Sequence, residues 1–304
     1  ALVCSPLREQ QGTGEKYSRE MRRMTPEVLQ AICKERHMWV QPHLNTQMFL
    51  NYRGFDAIEG LEDYIRVKSL HLGNNNIRKI EGLERMSDLV SLHLEANSIT
   101  RIENLFGNLK LRHLNLECNG ITRVEGLSHL CELEQLNISR NRIEHLEDLE
   151  PLREVRALSN VDVSHNQIVA SEGVIEFWTS MHSQMQLLRY HGNPGVRHIK
   201  DYRKRLINAL PRLGFLDERP INNNERRTCA AWAKGGMEAM HQAKREIFAQ
   251  RHGLEHQVDP ERRELLTRRR KLALARIDRE AKEQEELEAQ RANGVQQQQQ
   301  QQQQ

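Results

Sequence analysis

One period governs the middle of this chain. The segments VKSLHLGNNNIRKIEGL (67–83), LVSLHLEANSITRIENL (89–105), LRHLNLECNGITRVEGL (111–127) and LEQLNISRNRIEHLEDL (133–149) align without a gap at a 22-residue spacing. Asn75, Asn97, Asn119 and Asn141 fall in register. Two looser copies follow, LSNVDVSHNQI with Asn166 and MQLLRYHGNP with Asn193. A degenerate copy precedes them in FLNYRGFDAIEGL, where Arg53 holds the asparagine position. Copies this short cannot each build a core, so each one has to stack on the next.

The residue types identify the unit as a leucine-rich repeat. The pairs Leu70/Leu72, Leu92/Leu94, Leu114/Leu116 and Leu136/Ile138 alternate with polar residues, which puts them on the inner face of a short strand. Strands from successive copies stack into a parallel sheet at ~4.8 Å. The asparagine turns the chain away from the sheet, because its amide both donates to and accepts from turn backbone that would otherwise lack partners. Ile77, Ile80 and Leu83 close the core from the convex side. The fold class is therefore α/β: a leucine-rich-repeat solenoid with a curved parallel sheet, a cap at each end and a helical extension.

Solenoid ends need covers. In TPEVLQAICKERH, Thr25 reads as an N-cap, Pro26 as the first turn, and Val28, Leu29 and Ile32 as one apolar face. In YRKRLINALPRLGFLDERPI, Leu206, Ile207, Leu210, Leu213 and Leu216 lie over the last coil, with Pro211 stopping the helix. The resulting division is a disordered leader (1–24), an N-terminal helical cap (25–44), the repeats with their C-terminal cap (45–220), a charged helical extension (221–292) and a disordered polyglutamine tail (293–304).

The fixed period makes surface stripes visible. On the concave face the strand positions are occupied by His71, His93, Asn115, Asn137, Asp162 and Arg189, with His113 beside them. Solenoids commonly hold a partner on this surface, and these seven are the expected partner-binding residues there. On the turn side, Lys79, Arg101, Arg123 and His145 recur at one position, and Glu81, Glu103, Glu125 and Glu147 two residues later. Acid shadows base, which argues against the one-sign, aromatic-interleaved surface that nucleic acid needs. The net charge of +3 agrees.

Other chemistry finds little footing. No phosphate loop, nucleophile elbow or H-E-x-x-H motif occurs, so no catalytic residues are expected. The histidines lack neighbouring Asp, Glu or Cys at matching positions, so neither metal nor cofactor is expected. No apolar run approaches membrane-spanning length. Cys118 and Cys131 read as small buried apolar residues in a reducing compartment, since the five cysteines form no C-x-x-C pair.

Beyond Glu225 the pattern is helical. Cys229, Trp232, Ala233, Met237 and Met240 fall three to four apart as one apolar stripe, which either braces the cap or docks a partner through Trp232, Met237 and Met240. Gly253 and Pro260 interrupt the helix, and a second charged helix follows over 261–292.

The cap ALPRLGFLDERPI followed by ERRTCAAWAKGG, together with GFDAIEGLEDY and GNPGVRHIKDYRKRLI, resembles the axonemal dynein assembly factor 1 family over residues 25–245. The resemblance implies a non-enzymatic scaffold, without cofactor, that helps preassemble dynein arms in the cytoplasm for motile cilia and flagella. It implies dynein chains, other assembly factors and chaperones as partners. The last coil is also similar to the spliceosomal A-prime subunit and to the axonemal leucine-rich dynein light chain. A ribonucleoprotein subunit and an axoneme-resident structural protein are therefore the alternative readings.

Overall fold

The computed structural model describes residues 23–170, 172–181, 184–253, 268–269 and 271–275. Two units divide at the end of the cap, residues 1–221 and 222–304.

The first unit is the solenoid. Helix α1 (Pro26–Glu35) opens it, with Thr25 Oγ1 accepting from the Val28 amide at 3.4 Å and Pro26 in the first turn. Leu29, Ile32 and Cys33 are its buried residues. Arg23 pairs with Glu59 at 2.9 Å and Met24 is buried, so the folded region already includes the last residues assigned to the leader.

Eight parallel strands follow in sequence order: β1 (Gln47–Phe49), β2 (Ser69–His71), β3 (Ser91–His93), β4 (His113–Asn115), β5 (Gln135–Asn137), β6 (Asn160–Asp162), β7 (Leu187–Arg189) and β8 (Phe215–Leu216). An antiparallel ninth, β9 (Arg219–Pro220), closes the edge of β8. The register pairs Ser69 with Ser91 with His113 with Gln135, so each repeat sets its strand directly beside the equivalent residues of the last. Beyond β5 the coils lengthen. Helix α2 (Val174–Ser180) occupies one of them, and helix α3 (Tyr202–Ala209) forms the cap.

The core is one layer per repeat. In the third copy Leu89, Leu92, Leu94, Ile99, Ile102 and Leu105 are all buried, and each such side chain stabilises by about 1.5–3 kcal/mol. Leu206, Ile207, Leu210, Leu213 and Leu216 are buried in the C-terminal cap, as the sequence pattern requires.

The asparagine ladder ties the layers together. Asn119 Nδ2 donates to Leu94 O (2.9 Å) and Leu116 O (3.1 Å), while its Oδ1 accepts from the Ile99 amide (2.9 Å). Asn97 and Asn141 repeat these bonds one coil earlier and later. The residue before each ladder asparagine is left-handed: Asn74, Ala96, Cys118, Arg140 and His165 have φ between 53° and 58°. A second left-handed position recurs at Gly82, Asn104 and Gly126 (φ 70°, 59° and 67°). A Cβ on Gly82 would lie 2.8 Å from Ile58 O, and one on Gly126 2.7 Å from Ile102 O. At Asn104 the equivalent carbonyl, Ile80 O, instead accepts a 2.8 Å bond from Asn104 Nδ2. A steric problem in two repeats is a hydrogen bond in the third.

Two cysteine expectations are corrected. Cys131 is exposed, because its position on the convex turn faces outward. Cys118 is half-buried at a left-handed turn position, so it is not a fully buried core residue. The turn-side lattice is present in part: Arg101 reaches Glu125 of the following repeat at 2.7 Å, and Lys79 sits 3.8 Å from Glu81.

The second unit contains α4 (Asn223–Gly253), broken at Gly235 (φ −142°, ψ 26°) and Gly236 (φ 65°, ψ −151°). Arg227 Nη1 donates to Gln250 Oε1 at 2.9 Å. In a straight helix those residues would be about 35 Å apart, so the helix folds back as a hairpin at the two glycines. The apolar stripe read over Cys229 to Met240 is therefore interrupted. Residues 268–269 and 271–275 are helical, whereas the rest of the second charged helix, the leader before Arg23 and the glutamine tail lie outside the described residues.

Candidate functional site

The concave face presents the first and third residue of each of the strands β1 to β7, flanking a buried central one. Parallel strands ~4.8 Å apart bring equivalent side chains into contact, and on this face that spacing produces three different regions.

At the N-terminal end, Phe49, His71 and His93 form a ring stack. The Phe49 and His71 centroids are 4.7 Å apart at 18°, and those of His71 and His93 4.4 Å apart at 5°. Ser69 Oγ hydrogen-bonds His71 Nε2 at 3.0 Å, and Ser91 Oγ bonds His113 Nδ1 at 3.1 Å. Burial between its neighbours, with His93 adding like charge, holds the His71 imidazole below its ordinary pKa. Face-to-face stacking covers the ring faces. It also keeps the imidazole nitrogens in parallel planes, a geometry that does not converge on one ion. Among the described residues no group of three His, Cys, Asp or Glu side chains is arranged to hold a metal.

In the middle, Asn115, Asn137 and Asp162 are committed to the scaffold. Asn115 Oδ1 accepts from the Glu117 amide at 3.1 Å, and its Nδ2 donates to Glu95 of the preceding repeat at 3.1 Å. Asn137 accepts from the Ser139 amide (3.0 Å) and hydroxyl (2.7 Å) and donates to Glu117 at 3.3 Å. Asp162 accepts from the Ser164 amide and hydroxyl at 3.0 and 2.6 Å. Each oxygen closes a turn two residues on, so these side chains shape the face before they offer anything to a ligand.

Toward the C-terminus, Arg189 Nη1 donates to Asp162 Oδ2 at 3.1 Å and the guanidinium lies 5.5 Å from the Phe215 ring centroid. Between these regions lies a depression of about 280 Å³ bordered by His93, His113, Gln135, Asn160, Asp162 and Arg189. Its lining is amide, imidazole, one internally neutralised ion pair and the side chains of Leu114, Leu136 and Leu187. Such a surface suits hydrogen bonding to peptide groups. It lacks the assembled nucleophile, base and oxyanion donors of a catalytic site.

The structure thus gathers His93, His113, Asn115, Asn137, Asp162 and Arg189 around one depression and sets His71 in the stack beside it. On the extension, Met240 is buried and Trp232 and Met237 are half-buried, on opposite sides of the glycine break. Phe49 and Gln135 were not among the expected residues. Both occupy strand positions that the repeat register assigns to this face, so the register itself would have found them.

A family model described as the Endo-beta-N-acetylglucosaminidase EndoS LRR domain matches residues 57–166. The leucine-rich repeat-containing protein ODA7 of Chlamydomonas reinhardtii is 50% identical over 215 residues, which is 71% of this chain and 49% of that protein. Dynein axonemal assembly factor 1 of Mus musculus is 53% identical over 230 residues, 76% of this chain and 36% of that one. Its Homo sapiens counterpart is 55% identical over 217 residues, 71% of this chain and 30% of that one. The chain therefore spans about half the length of the first of these relatives and about a third of the other two. A solved internalin, InlF of Listeria monocytogenes, is 22% identical with a TM-score of 0.48, covering 58% of this chain and 48% of that one.

Proposed function

The repeats and cap of this chain belong to the axonemal dynein assembly factor 1 family, and from that premise we propose that it is a non-enzymatic scaffold for the cytoplasmic preassembly of axonemal dynein arms. The observation that carries the reading is the identity of 53% and 55% to two proteins named dynein axonemal assembly factor 1. The concave depression is where a client is held. Its amide- and imidazole-lined floor is pre-shaped by bonds between repeats, so little side-chain order is lost when a partner arrives. The partners are dynein chains and the factors and chaperones that handle them before transport to cilia and flagella. No helix among the described residues is long and apolar enough to cross a membrane.

The test is a pull-down from the soluble fraction of flagellated cells with the intact chain and with a His93→Arg/Gln135→Arg double variant. Both side chains border the depression without a ladder bond, so the variant is expected to fold. Dynein chains captured by the intact protein and lost with the variant support the reading. Equal capture by both removes the concave face from it, and splicing proteins in place of dynein chains overturn it.

A further inference from the structure

The solenoid begins with an exposed tryptophan. Trp39 is 62% exposed and Leu44, five residues on, 40% exposed, in a protein whose other apolar side chains are mostly buried. Exposure alone would mean little. This tryptophan, however, is held in place. Asn45 is 2% exposed, and its Oδ1 accepts from the Trp39 amide at 3.0 Å. Its Nδ2 donates to Trp39 O at 2.7 Å and to Gln41 O at 3.2 Å. One buried amide fixes both polar backbone groups of an exposed residue, so the indole is presented on a rigid loop.

Basic residues predominate around it. Lys34 and Arg36 are exposed and precede Trp39 at the end of α1, where the Met38 amide turns back to Cys33 O at 2.7 Å. Lys68 is exposed and brought alongside by its amide, which donates to Thr46 O at 2.8 Å, next to Asn45. Among the described residues none of the three makes an ion pair, while Glu35, the acid between Lys34 and Arg36, is occupied by Arg53 at 2.7 Å. We propose that this N-terminal lip, Trp39 and Leu44 with Lys34, Arg36 and Lys68, is a docking surface for an acidic segment of another protein that carries an apolar anchor residue.

The apolar pair supplies desolvated contact area, and the unpaired cations supply attraction and orientation. A single strand of nucleic acid would also meet cations and an aromatic. It needs open ring faces in succession, and on the adjoining strands Phe49, His71 and His93 cover one another's faces. The lip lies outside the depression assigned to the client, so the two surfaces stand or fall separately.

The experiment measures fluorescence anisotropy of labelled probes with the full chain. The probes are a synthetic peptide of glutamates interspersed with leucines, its all-glutamate and lysine–leucine versions, and a single-stranded oligonucleotide. The glutamate–leucine peptide is expected to bind best, and to bind more weakly as salt rises. Trp39→Ala should weaken it by at least about tenfold with an unchanged melting temperature, and Lys34→Glu with Arg36→Glu should abolish it. His93→Arg/Gln135→Arg should leave it unchanged. No binding of that peptide, equal binding by Trp39→Ala, loss caused by the concave variant, or stronger binding of the oligonucleotide would each overturn the proposal.

Discussion

At the residue scale, the ladder asparagines tie neighbouring repeats together through their amides. Asn119 satisfies the carbonyls of Leu94 and Leu116 and the amide of Ile99, in two different repeats. Asn119→Ala leaves these groups without a partner, and each unsatisfied buried group costs about 1–3 kcal/mol. We expect a loss of about 3 kcal/mol or more in a chemical-denaturation midpoint series. Gly82 provides a sharper comparison. Gly82→Ala drives a Cβ into Ile58 O at a left-handed position, whereas Gly82→Asn can copy the bond that Asn104 makes to Ile80 O. Gly82→Asn should therefore melt above Gly82→Ala despite its larger side chain, and the reverse order would show that the amide does not make the compensating bond to Ile58 O. The ring stack adds a pH dependence. The His71 pKa is depressed by burial and by His93, so the unfolded chain binds a proton that the folded one resists. The stability His71 contributes is full above the unfolded histidine value of about 6.5 and is lost as pH falls below that value through the lower folded one. His71→Phe, which keeps the stack without a titrating group, should lose less stability than wild type between pH 7 and pH 5. His165, depressed mainly by its own burial, leaves a residual slope in both.

At the element scale, strands, ladder and caps were legible because period two and period 22 fix them independently of surroundings. What the period hid was the use of the concave side chains. Asn115 and Asn137 read as outward-facing amides, and they do face out, but their oxygens close turns onto Glu117 and Ser139. A stripe records direction and says nothing of which hydrogen bonds are already made. Trp39 was missed for a related reason. The loop after α1 lies outside the repeat, so no register assigned it a face. Gly235 and Gly236 were visible, yet the 3–4 spacing of apolar residues was carried across them. The backbone at Gly236, φ 65° and ψ −151°, is a conformation other residues scarcely adopt. Gly236→Ala should open the hairpin. Spin labels at positions 227 and 250 would then move from near contact toward the roughly 35 Å of a continuous helix. An unchanged distance would mean that the hairpin does not depend on the glycine backbone.

At the scale of the whole molecule, the chain separates jobs along its length. Repeats and caps supply a concave wall, the depression on it is the surface proposed to hold a client, and the aromatic lip stands at the N-terminal end of that wall. Nothing in residue spacing points to dynein arms. That part of the account comes from kinship with proteins of which the matched region makes up only 30–49%, so the site and the client have to be linked by experiment. The most direct measurement places a photo-crosslinking amino acid at Gln135, an exposed position on the rim of the depression. The labelled chain is irradiated in flagellated cells, and the crosslinked partners are identified separately in the soluble and axonemal fractions. The account predicts dynein chains or their handling factors crosslinked in the soluble fraction. Crosslinks confined to the axoneme, or to splicing proteins, would contradict it.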